Sequence, residues 1–366
     1  MPKQSSLLFA KNVAAKQLAR RGIDMHCMSA EEFHRYVAAE PSGIVSTRPK
    51  RHAGTATEVP VRFLTWRFLL CLALTAISVW STVVPAQELA PRAYWPAPKG
   101  TNVLVFGYQY STGDIVTDPS LPITGVDSKI NFAHLTYQHT LSLFGRTANL
   151  QFNVPYTWGS TEGFAEGEIR NRHISAMADA RIRLSVNLRG APTMDVVGFQ
   201  ALRAKPRTII GASVLVQAPT GGYEPDKLIN AGTNRWAVKP ALGLIWPVRP
   251  TLLVEFELGA WIFGDNDNFL GTTRQQDPIL SSEFHLVKRI RPGFWASLDV
   301  NYYVGGRTTV GQDLRADLQR NSRIGGTVVF PFKGRYAIRA GFSTSIVTEP
   351  AGDFETFTLD YVYAWR

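Results

Sequence analysis

Residues Ala180–Arg189 read ARIRLSVNLR. Every even-numbered position is apolar (Ala180, Ile182, Leu184, Val186, Leu188), and every odd-numbered one is polar (Arg181, Arg183, Ser185, Asn187, Arg189). Strict alternation over ten residues describes a strand with two unlike faces. In a soluble protein the arginine face would meet water and the apolar face a core. Which solvent each face meets here depends on how often the pattern recurs.

It recurs along the whole chain beyond residue 100. Alternating segments lie at 104–110, 132–138, 150–158, 180–189, 210–216, 236–246, 252–259, 280–286, 294–303, 324–332, 336–342 and 357–365. That makes twelve strands, of about the length a tilted strand needs to cross a bilayer. The connections alternate as well. Long polar loops at 111–128, 159–176, 219–234, 264–278, 305–321 and 348–353 take turns with tight ones at 143–146, 247–250, 289–293 and 331–335. The exception, 190–206, is long enough for a short helix. Long loops on one side and tight turns on the other are the layout of an outer-membrane barrel. An even strand count places both chain ends on the tight-turn, periplasmic side.

Aromatic residues fall into two groups. Tyr108, Tyr110, Tyr156, Trp158, Trp236 and Tyr302 sit near the long-loop ends of strands, and Trp246, Phe332, Tyr336, Tyr363 and Trp365 near the tight-turn ends. Two aromatic belts are what the two interfaces of a bilayer favour. A soluble β-sandwich or lipocalin-like barrel would also alternate. The combined pattern points instead to an all-β, transmembrane, antiparallel up-and-down barrel of about twelve strands, with long extracellular loops and short periplasmic turns.

The energetics then choose the face. An arginine at the lipid midplane of a barrel costs about 2–4 kcal/mol, so Arg181 and Arg183 must look inward and the apolar side must meet lipid. The same rule sends Glu255, Glu257, Asp299, Arg323, Arg339 and Asp360 into the lumen. A lumen holding both signs pairs many of its charges, since an unpaired charge in a confined interior is expensive. Such a set either stiffens the barrel or forms a charged constriction that filters solutes. Twelve strands lie between the filled interior of eight and the aqueous channel of sixteen, which suits a narrow or partly plugged pore. The Pro-rich lead 87–100, with Tyr94 and Trp95, reads as a periplasmic tail, with insertion into the lumen from below as the alternative.

The N-terminal quarter differs in composition. Residues 1–86 hold 11 Lys and Arg against 5 Asp and Glu, whereas residues 87–366 hold 28 against 24. The basic excess is therefore concentrated upstream, and no Lys/Arg run of the kind that tracks a phosphate backbone follows, so no nucleic-acid partner is expected. Phe68–Trp80, FLLCLALTAISVW, is uncharged and shorter than a membrane-crossing helix. Arg62 and Arg67 precede it and Val84-Pro85-Ala86 follow it, which is the layout of a cleaved secretory signal over 61–86. Residues 1–60 then form an N-terminal extension, with the expectation that translation starts nearer Val61. Both cysteines, Cys27 and Cys71, lie upstream of the cleavage point, so the expected mature barrel, 87–366, is cysteine-free.

The segments LAPRAYWPAPKGTNVLVFGYQYSTGDIVTDPSLPITGVDSKI, RTANLQFNVPYTWGSTEG, ARIRLSVNLRGAP, DKLINAGTNRWAVKPALGL, GDNDNF, QDPI and GGRTTV together resemble the MetA-pathway of phenol degradation family of outer-membrane transporter or channel proteins. The resemblance covers nearly all of residues 88–366. It implies a bacterial outer-membrane barrel linked to uptake of aromatic or other hydrophobic compounds. It brings no functional residues with it. Barrels of this kind usually end on an aromatic residue read by the insertion machinery, whereas here Arg366 follows Trp365.

Other chemistry is weakly signalled. His173-Ile174-Ser175 places a base and a nucleophile on one side of an extended segment but lacks an evident orienting third group. GDNDN (264–268) offers Asp265 and Asp267 without a full calcium-loop pattern, and reads as an Asn/Asp turn. No catalytic, metal or cofactor set is expected. The sequence thus calls for a passive outer-membrane channel for small hydrophobic or aromatic solutes, with outer-membrane lipid, a small-molecule solute and the insertion machinery as partners and the oligomeric state unspecified. The alternatives are a structural or adhesive barrel with a closed lumen and, third, an outer-membrane hydrolase.

Overall fold

The computed structural model of the protein describes residues 91–114, 123–165, 168–347 and 353–366. The expected signal, the N-terminal extension, both cysteines and parts of the first and last long loops lie outside these residues.

Twelve strand positions close into one antiparallel barrel. They are β1 (Asn102–Gly113), β2 (Ile123–Leu143), β3 (Arg146–Ala165), the pair β4 (Glu168–Met177) and β5 (Arg181–Arg189), β6 (Ile209–Gln217), β7 (Ala237–Arg249), β8 (Leu252–Phe263), β11 (Ile279–Arg291), β12 (Phe294–Gly305), β15 (Gln319–Phe332), β16 (Tyr336–Val347) and β17 (Phe354–Trp365). Each pairs with the next along this order, and β17 returns to β1 in unbroken register from Asn102↔Trp365 to Gly113↔Phe354. Around this ring no edge is left, which is the arrangement of strands that satisfies backbone N–H and C=O groups in hydrocarbon, while β4 pairs on one side, with β3.

β4 and β5 occupy a single position. β4 pairs with the upper part of β3 from Tyr156↔Met177, and β5 with the lower part from Asn153↔Arg181. Pro155 lies in the gap. It has no N–H to give the ladder, and its carbonyl accepts from Ala178 N at 2.9 Å. The segment 159–176, expected as a polar loop, is therefore mostly a hairpin that continues the barrel wall outward. Two other long loops are also structured. β9 (Asn266–Phe269), β10 (Thr272–Gln276), β13 (Thr308–Val310) and β14 (Asp313–Leu314) form a four-stranded sheet over the extracellular mouth. Asp265 accepts from the Gln275 amide at 2.7 Å within that region.

The outward face is apolar along the wall. Ile182, Leu184, Leu188, Val214, Leu242, Leu244, Phe256, Leu258, Phe284, Leu298, Phe342 and Leu359 are all exposed. The tight-turn side carries the one helix among the described residues, α1 (Val196–Ala204), capped by Asp195, whose carboxylate accepts from Gly198 N at 2.8 Å. The lead does not hang free as a tail. Pro91–Gly100 enters the periplasmic end of the barrel and buries Tyr94, which packs with Ala191, Leu202, Ile209, Ile245, Leu253 and Val287. Lipid on the outer face predicts that Leu242→Arg, at a position 60% exposed, costs about 2–4 kcal/mol near the midplane. Urea titration of folding into lipid vesicles measures this, and an unchanged midpoint would mean that the face does not meet hydrocarbon.

Candidate functional site

The lumen is the site, and it has three levels. At the periplasmic level, inward positions of β6, β7, β8 and β11 break the polar rule and carry Ile209, Ile245, Leu253 and Val287. These make a core of the kind found in a soluble protein, closed by Tyr94 from the lead and Leu202 from α1. Gly211 and Gly243 pair across β6 and β7, and a Cβ on either would overlap the Tyr94 ring. The two glycines form a notch that the ring fills. Arg92 sits at φ 71°, a backbone conformation uncommon for a side-chain-bearing residue. The turn aims its N–H at Glu255 Oε2, 2.7 Å away. Its guanidinium lies 4.4 Å from the Trp95 ring and 5.2 Å from that of Trp295.

The middle level is a belt of charges. Glu257 accepts from Arg183, which reaches over the glycine notch, and from Lys239 Nζ at 2.9 Å. Lys239 also donates to Glu283 at 2.8 Å. His285 Nδ1 lies 2.8 Å from Asp299, whose other oxygen accepts from the Thr327 hydroxyl at 2.8 Å. The belt thereby ties together β5, β7, β8, β11, β12 and β15. The Tyr94 hydroxyl joins it, 2.9 Å from Ser213 Oγ and 3.4 Å from Arg183. Burial, and then the charge of Glu257, push Tyr94 up to about 12, so it stays neutral in the belt. On the opposite wall Arg339 donates to Asp360, and His134 lies 3.5 Å from the same carboxylate.

All eight charged residues singled out from the sequence face inward, but they do not form one group. Arg183, Glu257 and Asp299 join the belt, Glu255 holds the lead, and Arg339 and Asp360 pair apart. Arg323, only 2% exposed, binds no carboxylate among the described residues. It donates to Ser343 Oγ at 2.8 Å and to Thr356 Oγ1 at 3.2 Å, with its guanidinium 3.8 Å from the Phe354 ring. Arg181 donates to Gln217 at 3.1 Å. Sequence reasoning left Lys239, Glu283, His285 and His134 out of the lumen set, and gave the insertion of Tyr94 into the lumen only as the alternative to a periplasmic tail. These four share the inward parity of their strands and were visible by that signal.

The upper level is a cavity of about 400 Å³. Strand ends line it together with the connection between β6 and β7, from which Leu228, Asn230 and Thr233 face the space. Asp179, at the β4–β5 break, anchors that connection by accepting from Gly221 N (2.9 Å), Thr233 N (2.9 Å), Thr233 Oγ1 (2.6 Å) and Gln217 (3.1 Å).

The aromatic residues assigned to the two belts lie on the outer parity of their strands. Tyr108, Tyr156 and Trp158 cluster toward the long-loop end, with Tyr108–Trp158 centroids 6.2 Å apart. Tyr336, Tyr363 and Trp365 stack at 5.1 Å spacings near the tight turns. Trp236 and Trp246 are exposed, while Tyr110 and Tyr302 are half-buried. His173 and Ser175 are exposed on β4, where Ser175 Oγ lies 2.9 Å from the Tyr156 hydroxyl.

A closed twelve-stranded wall, apolar outside and charged within, defines a porin-like outer-membrane β-barrel. Residues 106–360 match the family described as "Putative MetA-pathway of phenol degradation", and the chain belongs to it. Among solved structures it is similar to the COG4313 outer membrane channel from Pseudomonas putida F1, with 21% identity and a TM-score of 0.63 over 76% of this chain and 100% of that one. More distant similarities are to the NanC porin (7% identity, TM-score 0.41, 71% and 98% covered) and to the transport unit of the autotransporter AIDA-I from Escherichia coli (10%, 0.45, 77% and 94%). No curated protein matches the chain.

Glu257 is the carboxylate partner of Arg183 and one of two for Lys239, so Glu257→Gln strands Arg183 while Lys239 keeps Glu283. Removing one partner from a buried pair costs about 3–5 kcal/mol. The urea midpoint in vesicles should fall accordingly, and a shift below about 1 kcal/mol would show that water solvates the belt.

Proposed function

We propose that the protein is a passive outer-membrane channel for small hydrophobic or aromatic solutes. The observation that carries this is the cavity at the extracellular level. Its volume is within the range of small-molecule sites, and its lining mixes Trp261, Phe263 and Ile130 with hydrogen-bonding side chains. The name of the family, which refers to phenol degradation, supports an aromatic solute. On this reading the lead is the periplasmic stopper. Its ring sits in a glycine notch rather than in the wall, so it can leave without breaking a strand pairing.

The eight inward charges act as the filter in this proposal: Arg181, Arg183, Glu255, Glu257, Asp299, Arg323, Arg339 and Asp360. The ten aromatics (Tyr108, Tyr110, Tyr156, Trp158, Trp236, Trp246, Tyr302, Tyr336, Tyr363 and Trp365) seat the barrel at the two headgroup levels. The strand Phe354–Trp365 is what the insertion machinery reads. The hydrolase alternative has no support from His173 and Ser175, which face outward. The structural alternative, a closed lumen, is favoured by one observation, the apolar core at the periplasmic end.

Single-channel recording in a planar bilayer separates channel from structural barrel. The wild type should show discrete openings. Tyr94→Ala and Gly243→Leu, which empty or overfill the notch, should raise conductance or open time severalfold. Silence from all three in folded, heat-modifiable form would establish the closed barrel. Arg181→Ala and Arg183→Ala should shift the reversal potential in a salt gradient, and parental values in both would leave the charges a stiffening role alone.

A further inference from the structure

We propose that the tight-turn end of the barrel is a docking ring for anionic phospholipids of the periplasmic leaflet, whether or not the lumen conducts. The five connections at that end, 143–146, 189–208, 249–251, 288–293 and 332–335, hold eleven Lys and Arg against one carboxylate, Asp195. The opposite end differs. Its segments 264–278 and 305–321 hold five Asp against four Arg, close to balance. Asp195 is committed to the cap of α1. The hydrogen bonds that the tight-end cations make among the described residues run to neutral oxygens. Arg207 donates to Gly190 O at 2.7 Å, Lys288 to Thr251 Oγ1 at 3.3 Å, and Arg289 to Pro250 O at 3.0 Å and Arg203 O at 2.7 Å. The charge of this end is therefore left to attract anions from outside the chain.

The height of the cations points to lipid. Lys288 is exposed and shares the lipid-facing parity of Leu280 and Phe284 on β11. A lysine on that face lays its stem along apolar surface and extends its ammonium to the headgroups. Arg249 follows the exposed Trp246 by three residues, and Lys333 and Arg335 lie between the aromatics Phe332 and Tyr336. The Arg291 guanidinium is 5.6 Å from the Phe294 ring. Aromatic belts mark the headgroup level, so their cationic neighbours stand among the phosphates. Ammonium and guanidinium groups make charge-assisted hydrogen bonds to phosphate oxygens there, and arginine can use two parallel N–H groups.

Phe144 favours a lipid partner over a soluble acidic one. It is 94% exposed in the β2–β3 turn, at φ 49°, two residues before the exposed Arg146. Ile290, also exposed, stands between Arg289 and Arg291. Apolar side chains set among cations gain nothing from a hydrated acidic surface. They gain by entering the boundary between headgroups and acyl chains, as interfacial segments with basic and apolar residues do.

The purified barrel is reconstituted into phosphatidylcholine vesicles and probed with spin-labelled phosphatidylglycerol and spin-labelled phosphatidylcholine. The immobilised fraction of each label reports its residence at the protein. Phosphatidylglycerol should be held about threefold more at about 0.01 M salt and near parity at about 1 M, as the screening length falls from about 30 Å to about 3 Å. Lys288→Gln, Arg291→Gln, Lys333→Gln and Arg335→Gln combined should bring the low-salt ratio near parity. Arg315→Gln with Arg320→Gln, at the other end, should leave it unchanged. The salt response of the wild type keeps the test decisive if the fourfold variant does not fold. Equal retention of the two lipids by the wild type, or a preference untouched in the fourfold variant, overturns the ring. So does poly-glutamate held by the wild type without any lipid preference, a result that would give this face to a soluble acidic partner.

Discussion

A strand in hydrocarbon can send its backbone N–H and C=O groups only to another strand, and this single constraint organises the molecule. The pairing of β17 with β1 completes the ring and removes the edges. Once the ring is closed, the side-chain period of two leaves no freedom. One set of residues meets lipid and the other shares a narrow interior. The charge belt, the aromatic belts and the cavity are all consequences of that division.

The interior then has to satisfy what it has been given. Carboxylates and cations cannot stay unpaired in a confined space, and the belt centred on Glu257, Lys239 and Glu283 resolves this across several strands at once. The periplasmic level solves the opposite problem. Its inward residues are aliphatic, and bare aliphatic side chains facing water would waste the hydrophobic gain of burial. Tyr94, Trp95 and Leu202 cover them. The stopper is therefore a requirement of the wall residues around it as much as a device for controlling passage.

The wall was legible in the sequence because a period of two is a local signal. All twelve strand positions follow from it, and the length of the 190–206 connection left room for the short helix. The inward direction of Arg181 and Arg183 followed from the cost of charge in lipid. The interior was only partly legible, for two physical reasons. Where both faces turn apolar, as at the Ile245 end of β7, alternation cannot announce that Ile245 points into a core. And Tyr94 is matched to Gly211 and Gly243, partners more than a hundred residues away, so its own neighbourhood left tail and insertion as alternatives and could not name the notch. The hairpin extension of β3 and β4 escaped for a related reason. Its residues are largely polar, with Ile169 and Ile174 among them, and polar residues without a clear period read as loop.

The central claim is that ARIRLSVNLR carries lipid on one side and lumen on the other. Spin labels placed one at a time from 181 to 188, in the barrel reconstituted into vesicles, test it directly. Collision rates with oxygen, which partitions into lipid, and with a water-soluble nickel chelate should alternate with a period of two. The even positions should be open to oxygen and closed to the chelate. Equal accessibility to both reagents at even and odd positions would contradict the two-solvent wall and the account built on it.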